Sequence, residues 1–183
     1  MRRRITRRRA RLLAGVVVVI AVIVTVLATG LGRNPSVIAS PLVGRAAPNF
    51  TLPQLDGPPV TLSKLRGQIV VINFWASWCT ECRIEQGTLD RTWQQFQDSG
   101  VVVLGVNFED TTGDARNYVR TADVTYPIVE DAGSRTALAY GLRGVPETFV
   151  VNRSGRIVSH VIGLVDAARL TSEINSMLNA SAR

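Results

Sequence analysis

A nearly continuous apolar stretch, QIVVINFWA (residues 68–76), is rich in β-branched side chains. Such a run is typical of a strand that is buried on both faces of a sheet. A second stretch of this kind, VVVLGVNF (residues 101–108), follows a segment in which Leu89, Trp93 and Phe96 recur at helical spacing. Two buried strands joined by an amphipathic helix predict a β–α–β unit with parallel strands.

Shorter elements extend this unit on both sides. Two alternating runs broken by an Asp-Gly-Pro-Pro turn predict a hairpin over residues 49–63. Two antiparallel strands around a polar turn are predicted within residues 146–163, after a short strand at 125–131. Further helices are predicted at 111–122, at 134–142 and from about Asp166. The order of elements predicts an α/β domain with a mixed central sheet and helices on both faces.

The positive charge of the chain is concentrated at its N-terminus. Seven of the 21 basic residues are arginines within the first eleven positions, and without them basic and acidic residues balance. A neutral domain without a basic stripe gives no electrostatic reason to expect nucleic-acid binding. An excess of arginine beside an apolar segment is typical of the cytoplasmic side of a membrane protein. Residues 1–11 are interpreted as such an Arg-rich cytoplasmic tail.

The next segment, residues 12–32, contains no charged side chain. About 20 apolar residues suffice for a helix to cross the hydrocarbon core of a bilayer, so a single transmembrane anchor is predicted. The arginines before it place everything after it outside the cytoplasm. A cleaved signal peptide is the alternative, although the apolar run is long for one. Residues 33–47 are interpreted as a linker, and residues 48–183 as one globular domain.

Both cysteines of the chain, Cys79 and Cys82, lie where the first buried strand ends and the helix begins. Unpaired backbone N–H groups and the helix dipole favour a thiolate at Cys79, and the thiolate is the reactive form. Cys82 lies on the same face of the first helical turn and can attack a mixed disulfide formed at Cys79. This C-x-x-C motif next to a β–α–β pattern is typical of a redox pair.

Other functions of the pair are less consistent with the sequence. A structural disulfide closing so small a loop removes little entropy from the unfolded chain. A zinc site needs four ligands, whereas the chain offers these two cysteines and the single histidine His160. Copper suits two thiolates and one imidazole better, but His160 lies in an alternating strand pattern. A peroxidatic cysteine needs no partner three residues away. No cofactor is predicted.

Sequence blocks throughout the external domain resemble the CcmG/DsbE, ResA and TlpA group, the membrane-anchored, thioredoxin-fold proteins of cytochrome c maturation. The blocks are APNFTLPQLDG, VTLSKLRGQIVVINFWASWCTECRIE, VVVLGVNFED and YGLRGVPETFVVNRSGRIVSHVIG. The combination of INFWASWC with a later GVPETF is the specific signal. The resemblance implies a thioredoxin-like three-layer fold preceded by one N-terminal transmembrane helix.

The resemblance also implies roles for individual residues. The bond between Val145 and Pro146 is expected to be the cis-proline bond that faces the active-site disulfide, and X-Pro bonds are those in which cis is least costly. Val145 and Trp78 are expected to line the client groove, with plain packing as the alternative for Trp78. Asn73 occupies the position where cytoplasmic thioredoxins carry a buried proton-relaying acid, and Glu147 is the candidate for that role here.

Two carboxylates predict the direction of electron flow. Glu81 is expected in the first helical turn beside Cys79, and Glu147 is expected across from it. Negative groups near a thiolate raise its pKa, and a less stable thiolate makes a weaker oxidant. Alternatively, Glu81 interacts only with the helix dipole and Glu147 is a strand-entry residue that faces water. Glu109 and Asp110 are expected to be solvated loop charges.

These expectations converge on a protein disulfide reductase acting outside the cytoplasmic membrane. Cys79 would attack a client disulfide, and Cys82 would resolve the mixed disulfide. By resemblance, the client is the C-x-x-C-H haem-binding motif of apocytochrome c, and the electron donor is a CcdA- or DsbD-type membrane protein. The alternatives are a general reductase, for example one that prepares copper-site cysteines of an oxidase, or an oxidant of exported proteins. A copper-binding chaperone using Cys79, Cys82 and His160 is a further alternative.

Overall fold

The computed structural model of the protein describes residues 14–22, 24–25 and 40–180. The chain divides into two compact units, residues 1–37 and residues 38–183. The described residues of the first unit are helical and exposed. The second unit contains the two cysteines and every strand of the described chain.

The predicted N-terminal segments are only partly covered. The tail, residues 1–11, lies outside the described residues, and the predicted anchor (12–32) and linker (33–47) lie partly outside them. Within the described ranges, no helix combines the length and the apolar character that crossing a membrane requires.

Residues 40–180 form seven strands and four α-helices. The strands are β1 (Thr51–Leu52), β2 (Val60–Thr61), β3 (Ile69–Trp75), β4 (Val101–Phe108), β5 (Ile128–Asp131), β6 (Glu147–Val151) and β7 (Ile157–Ile162). The helices are α1 (Thr80–Phe96), α2 (Thr112–Thr121), α3 (Arg135–Tyr140) and α4 (Ala167–Ala180). These bounds confirm the order of elements predicted from hydrophobic periodicity.

Five of the strands form one mixed sheet in the order β5-β4-β3-β6-β7. The pairs β3–β4 and β4–β5 are parallel, whereas β3–β6 and β6–β7 are antiparallel. The predicted N-terminal hairpin forms a separate pair, β1–β2. The mixed sheet is confirmed, and β6 is the strand at which its direction changes. Because β3 lies at the centre, its carboxyl end is flanked by β4 on one side and β6 on the other.

The two faces of β3 belong to two different hydrophobic cores, as expected of a strand with period-two side chains. Ile69, Val71 and Trp75 pack in one core. Val70, Ile72 and Phe74 pack in the other. The first core receives apolar side chains from α1, α2 and α4, and the second receives them from α3 and the N-terminal hairpin. The fold is therefore the predicted three-layer arrangement, with helices on both faces of the sheet.

Helix α1 begins directly after β3, which places the cysteines at the carboxyl edge of the sheet. Cys79 is the N-cap, with extended backbone angles (φ −81°, ψ 115°). At the other end, the chain leaves a short 3-10 turn (Gln97–Ser99) through Gly100, whose φ of 77° is in the left-handed region that favours glycine. Ligand sites in sheets of this kind lie at the carboxyl ends of the strands, which is where the redox pair is located.

Candidate active site

Cys79 and Cys82 are joined by a disulfide bond at the start of α1. The Sγ atom of Cys79 accepts a hydrogen bond from the backbone N–H of Cys82 at 3.0 Å. This sulfur thus occupies the position of an N-cap acceptor, where the unpaired N–H groups and the helix dipole stabilise negative charge. Both cysteines are only 3% exposed. The geometry is that of a nucleophile whose thiolate is stabilised by the helix start.

A buried polar cluster lies on the α1 face of the sheet, and we call Asn73, Glu85, Thr148 and Val165 the Glu85 cluster. Asn73 donates from Nδ2 to Oε1 of Glu85 at 2.7 Å and to Oγ1 of Thr148 at 2.9 Å. The backbone N–H of Val165 donates to Oε2 of Glu85 at 3.0 Å. Each carboxylate oxygen of Glu85 therefore has one neutral donor. Glu85 is 3% exposed and follows Cys82 by three residues, so the two share one face of α1.

Burial raises the pKa of Glu85 from 4.5 to about 7, although its hydrogen bonds with the Val165 N–H and the Asn73 amide oppose the shift. Neither donor carries a charge, so they offset only part of the desolvation. A carboxyl group that titrates near neutrality can both accept and return a proton under physiological conditions. The Glu85 cluster thus places a carboxyl group that titrates near neutral pH on the face of α1 that carries Cys82.

Glu85 is not among the site residues predicted from the sequence. The resemblance implies that Asn73 stands where cytoplasmic thioredoxins carry a buried acid, and the sequence predicts that role for Glu147, next to the proline. The structure places an acid on the helix opposite Asn73, which donates to it. The helical period could have identified this residue. Glu85 precedes Leu89 by one turn and therefore lies on the buried face of α1.

A second buried glutamate, Glu147, lies at the start of β6, and we call Arg143, Gly144, Glu147 and His160 the Glu147 cluster. Oε1 of Glu147 accepts from the backbone N–H groups of Arg143 (2.8 Å) and Gly144 (3.2 Å). Oε2 lies 2.7 Å from Nε2 of His160. Glu147 has no exposed surface, so the alternative that it faces water is wrong. Its carboxylate ties the loop before the proline to β7.

His160 does not join the cysteines in a metal site. It lies in β7, with its ring stacked on Phe149 at 4.1 Å between centroids, and its Nε2 contacts Glu147. In the part of the chain that the structure describes, no three side chains of His, Cys, Asp or Glu are grouped so that they could hold a metal ion. The ligand set Cys79, Cys82 and His160 of the copper alternative is therefore not assembled.

The bond between Val145 and Pro146 is cis, as the resemblance implied. Pro146 is buried, and its carbonyl accepts from the N–H of Gly163 at 2.9 Å. Val145 is partly buried and packs against both hydrophobic cores. The predicted roles of Pro146 and Val145 in contacting a client stay predictions.

Trp78 and Glu81 are exposed on either side of Cys79 in the sequence. The Trp78 side chain is 58% exposed, which excludes the alternative of plain core packing, whereas Phe74 and Trp75 are buried as predicted. Glu81 lies in the first turn of α1 as expected. Its effect on the thiolate of Cys79 stays a prediction.

Asp110 corrects the expectation of a solvated loop charge. It is partly buried, and its carboxylate accepts from the backbone N–H and the hydroxyl of Ser77 at 2.6 and 3.0 Å. This acid therefore contacts the segment that leads into Cys79. The position of Asp110 directly after a buried strand does not indicate its contact with Ser77, because Ser77 lies 33 residues away in the sequence.

A thioredoxin-like fold with a cysteine pair at a helix start and a buried carboxyl group about one turn further along that helix defines a protein thiol–disulfide oxidoreductase. The chain belongs to the AhpC/TSA family, whose profile matches residues 43–160.

Proteins similar to this chain carry names consistent with that class. The thiol:disulfide interchange protein DsbE of Allochromatium vinosum is 36% identical over 152 residues, which are 81% of this chain and 82% of that protein. The thiol:disulfide interchange protein HelX of Rhodobacter capsulatus is 35% identical over 153 residues, covering 82% and 85% of the two chains. The thiol-disulfide oxidoreductase ResA of Bacillus cereus is 28% identical over 121 residues, covering 66% and 70%. The resemblance seen in the sequence blocks is thereby confirmed.

A solved structure supports the same assignment. The thiol:disulfide interchange protein DsbE from Chlorobium tepidum superimposes with a TM-score of 0.69 at 30% identity. The match covers 73% of this chain and 95% of that structure. The two proteins therefore share the thioredoxin-like fold.

Proposed function

We propose that this protein reduces disulfide bonds of other proteins outside the cytoplasmic membrane. The observation that carries the proposal is Glu85, a buried carboxyl with a pKa of about 7 on the face of α1 that also carries Cys82. A buried anion on the helix face that carries Cys82 disfavours a thiolate there at neutral pH and above. Strong oxidants instead stabilise the thiolate of the reduced state, so the arrangement supports the reducing direction.

The reaction begins with the reduced enzyme. The thiolate of Cys79 attacks one sulfur of the client disulfide, and the second client sulfur leaves as a thiolate. Cys82 then transfers its thiol proton to the Glu85 carboxylate and attacks the sulfur of Cys79. The first client sulfur is released, and the enzyme keeps the disulfide seen in the structure. Two electrons pass from the cysteine pair to the client, and Glu85 returns its proton to a departing thiolate or to water.

In this proposal Glu147 is a positioning residue. Its carboxylate holds the N–H groups of Arg143 and Gly144 through Oε1 and contacts His160 through Oε2. These contacts fix the loop that leads into Pro146. The side chain also lies on the sheet face opposite the Glu85 cluster, because its neighbour Thr148 bonds to Asn73.

The client and the location are the finer part of the proposal. We propose that the client is the C-x-x-C-H motif of apocytochrome c, supported by the similarity to proteins named DsbE, HelX and ResA. The electron donor is a membrane protein of CcdA or DsbD type. Residues 12–32 form a retained anchor with the domain outside, supported by their uncharged sequence and the seven arginines before them.

Trapping with Cys82→Ser in the full-length protein tests the client. The variant cannot resolve the mixed disulfide, so it should accumulate a covalent complex with apocytochrome c that mass spectrometry identifies. Cys79→Ser is the matched control and should trap nothing. Trapped partners without a C-x-x-C-H motif would contradict the client assignment but not the exchange chemistry.

Protease treatment of spheroplasts tests the location. The external domain should be digested, and the mature protein should retain an N-terminus near Met1. A mature N-terminus near Leu31 would show that the apolar segment is cleaved rather than retained.

A further inference from the structure

The loop after β4 contacts the segment just before the cysteines, and we call its residues 109–111 the brace loop. Oδ2 of Asp110 accepts from the backbone N–H of Ser77 (2.6 Å) and from Nδ2 of Asn107 (3.0 Å). Oδ1 accepts from the hydroxyl of Ser77 (3.0 Å) and from the backbone N–H of Thr111 (2.9 Å). The carboxylate therefore accepts four hydrogen bonds, and the two from Ser77 link the brace loop to the segment before Cys79. Bonds to a charged acceptor are among the stronger ones in proteins.

Ser77 is also held from the other side. The guanidinium of Arg83 donates to the carbonyl oxygen of Ser77 from Nη2 at 2.7 Å and from Nε at 3.2 Å. The same guanidinium lies over the ring of Tyr118, 5.6 Å from its centroid. The N–H, hydroxyl and carbonyl of Ser77 are thus all engaged, two residues before Cys79.

The brace loop fixes Trp78 as well. Its indole Nε1 donates to the backbone carbonyl of Glu109 at 3.0 Å, although the side chain is 58% exposed. Glu109 has a φ of 46°, a left-handed conformation that is uncommon for residues other than glycine. An exposed aromatic ring that is anchored at one end presents a fixed apolar surface. Binding to a fixed surface loses less side-chain entropy than binding to a mobile one.

We propose that the brace loop holds Trp78 as a rigid platform for the polypeptide around a client disulfide, and that Asp110 is a positioning residue for polypeptide substrates. The inference rests on the proposed exchange function and adds a determinant of substrate class. A small disulfide reacts at sulfur and does not span the platform. Loss of the brace therefore slows exchange with polypeptide disulfides and leaves exchange with small disulfides nearly unchanged.

Asp110→Asn in the full-length reduced protein is the sharpest test. Each carboxylate oxygen accepts one backbone N–H, so the amide nitrogen of the introduced side chain faces a backbone donor in either orientation. The matched control is Asp114→Asn, an exposed residue that loses the same charge and can still accept from the hydroxyl of Thr111. Trp78→Phe removes the indole donor but keeps an aromatic ring.

Two substrates separate the platform from the chemistry. One is an oxidised peptide with an internal Cys-Ala-Ala-Cys-His disulfide, and the other is 5,5′-dithiobis(2-nitrobenzoate). In single-turnover reactions of the reduced protein, Asp110→Asn and Trp78→Phe should each raise the half-saturating peptide concentration about tenfold, the order expected for losing a charge-assisted or anchoring hydrogen bond, with the limiting rate within about twofold. Rates with the small disulfide should stay within about twofold of the Asp114→Asn control. The double variant should raise the half-saturating peptide concentration by less than the product of the two single-variant increases, because both substitutions act through one platform.

Equal peptide kinetics in Asp110→Asn and Asp114→Asn overturn the proposal. An equal loss with both substrates also overturns it, since Asp110 would then act on the cysteines themselves. Circular dichroism checks that each variant is folded. If Asp110→Asn is not folded, the peptide kinetics of Trp78→Phe test the proposal, because this exposed side chain can be replaced without disturbing the core. Failure of the wild type to react with either disulfide contradicts the proposed exchange function instead.

Discussion

Glu85 and Glu147 are both buried glutamates near the carboxyl end of β3, yet their surroundings differ. In the register of β3 with β6, Asn73 pairs with Thr148 and Phe74 pairs with Glu147. Neighbouring residues of a strand point to opposite faces, so the Glu85 and Glu147 clusters lie on opposite sides of the sheet. Glu85 shares its face with the cysteine pair and has two neutral donors. Glu147 has three partners, including an imidazole, on the face of α3.

The difference shows how the environment assigns one residue type to two tasks. Desolvation with only neutral donors leaves the Glu85 carboxyl with a pKa of about 7, suited to moving a proton. Glu147 uses both oxygens to tie a loop and a strand together, which suits a positioning residue. Substitutions on the two faces of the sheet should therefore differ in their effects on stability and on exchange.

Replacing His160 by leucine should have the largest effect. Oε2 of Glu147 would lose its 2.7 Å contact inside the protein and have no water to replace it. Removing one partner of a buried ion pair lowers the free energy of unfolding by about 3–5 kcal/mol. Urea unfolding measures the change, and His160→Gln, which keeps a side-chain donor, should recover much of it. A loss below about 1 kcal/mol would show that Glu147 does not depend on this contact.

The raised pKa of Glu85 predicts a pH-dependent stability. The folded protein binds this proton more tightly than the unfolded chain, so the stabilisation is fully present below about pH 4.5 and is lost as the pH rises through about 7. A shift from 4.5 to about 7 corresponds to about 3 kcal/mol in the free energy of unfolding.

Urea unfolding across this pH range compares the wild type with Glu85→Gln. The free energy of unfolding of the variant should lack the part of the decrease with pH that Glu85 causes. Glu81→Gln is the matched control, because Glu81 is an exposed glutamate on the same helix, and it should retain the decline. Parallel pH profiles for the wild type and Glu85→Gln would contradict the shift.

The same two glutamates should differ in their effect on exchange. Glu85→Gln should slow attack by Cys82 on a preformed mixed disulfide about a hundredfold above pH 7, the lower end of what general-base catalysis contributes. In the wild type, this step should accelerate as the pH rises through about 7, because only the carboxylate accepts the proton. Glu147→Gln should change the rate only a fewfold.

Stopped-flow measurement of released client thiol resolves the step. The reverse ranking, with Glu147→Gln the slower variant, would favour the proton relay that the sequence predicted for Glu147 and assign the positioning role to the Glu85 cluster. The division between the two faces of the sheet would then be the opposite of the one proposed.

The smallest effect is expected from the charges around Cys79. Glu81 is exposed and solvent screens it, so Glu81→Gln should move the reduction potential in the oxidising direction by less than about 30 mV. Arg83→Gln should move the potential the other way, because a cation in the same turn favours the thiolate. Equilibration with glutathione measures both. A wild-type potential typical of strong oxidants would contradict the reducing direction and favour the oxidant alternative.

Much of the fold was predictable because it depends on local periodicity. The apolar run of β3 and the helical spacing of Leu89 and Phe96 follow from the demand that buried faces be apolar. The start of α1 at Cys79 was predictable for the same reason, as was the position of the redox pair at the sheet edge. The antiparallel pairing of β6 with β3 was not fixed by the alternation of helices and strands, because strand direction depends on how the connection crosses the sheet.

The site was predictable only in part. The cysteine pair and the cis bond before Pro146 were found from motifs that are contiguous in the sequence. Glu85 and Asp110 were missed because their partners are distant along the chain. Val165 is 80 residues from Glu85, and Ser77 is 33 residues from Asp110. The helical period places Glu85 on the buried face of α1, but no local pattern shows which distant donors it meets, and none indicates the contact between Asp110 and Ser77.

By itself, the sequence determined the order of elements, the redox chemistry of Cys79 and Cys82 and the class of protein, since each depends on short-range spacing. The tertiary structure alone decided which carboxylate meets which donors. Packing of α1 on β3 desolvates Glu85 beside Asn73 and raises its pKa, whereas pairing of β6 with β7 places His160 against Glu147. Burial and hydrogen-bond partners set the function of an ionisable group, and both arise only when distant segments pack together.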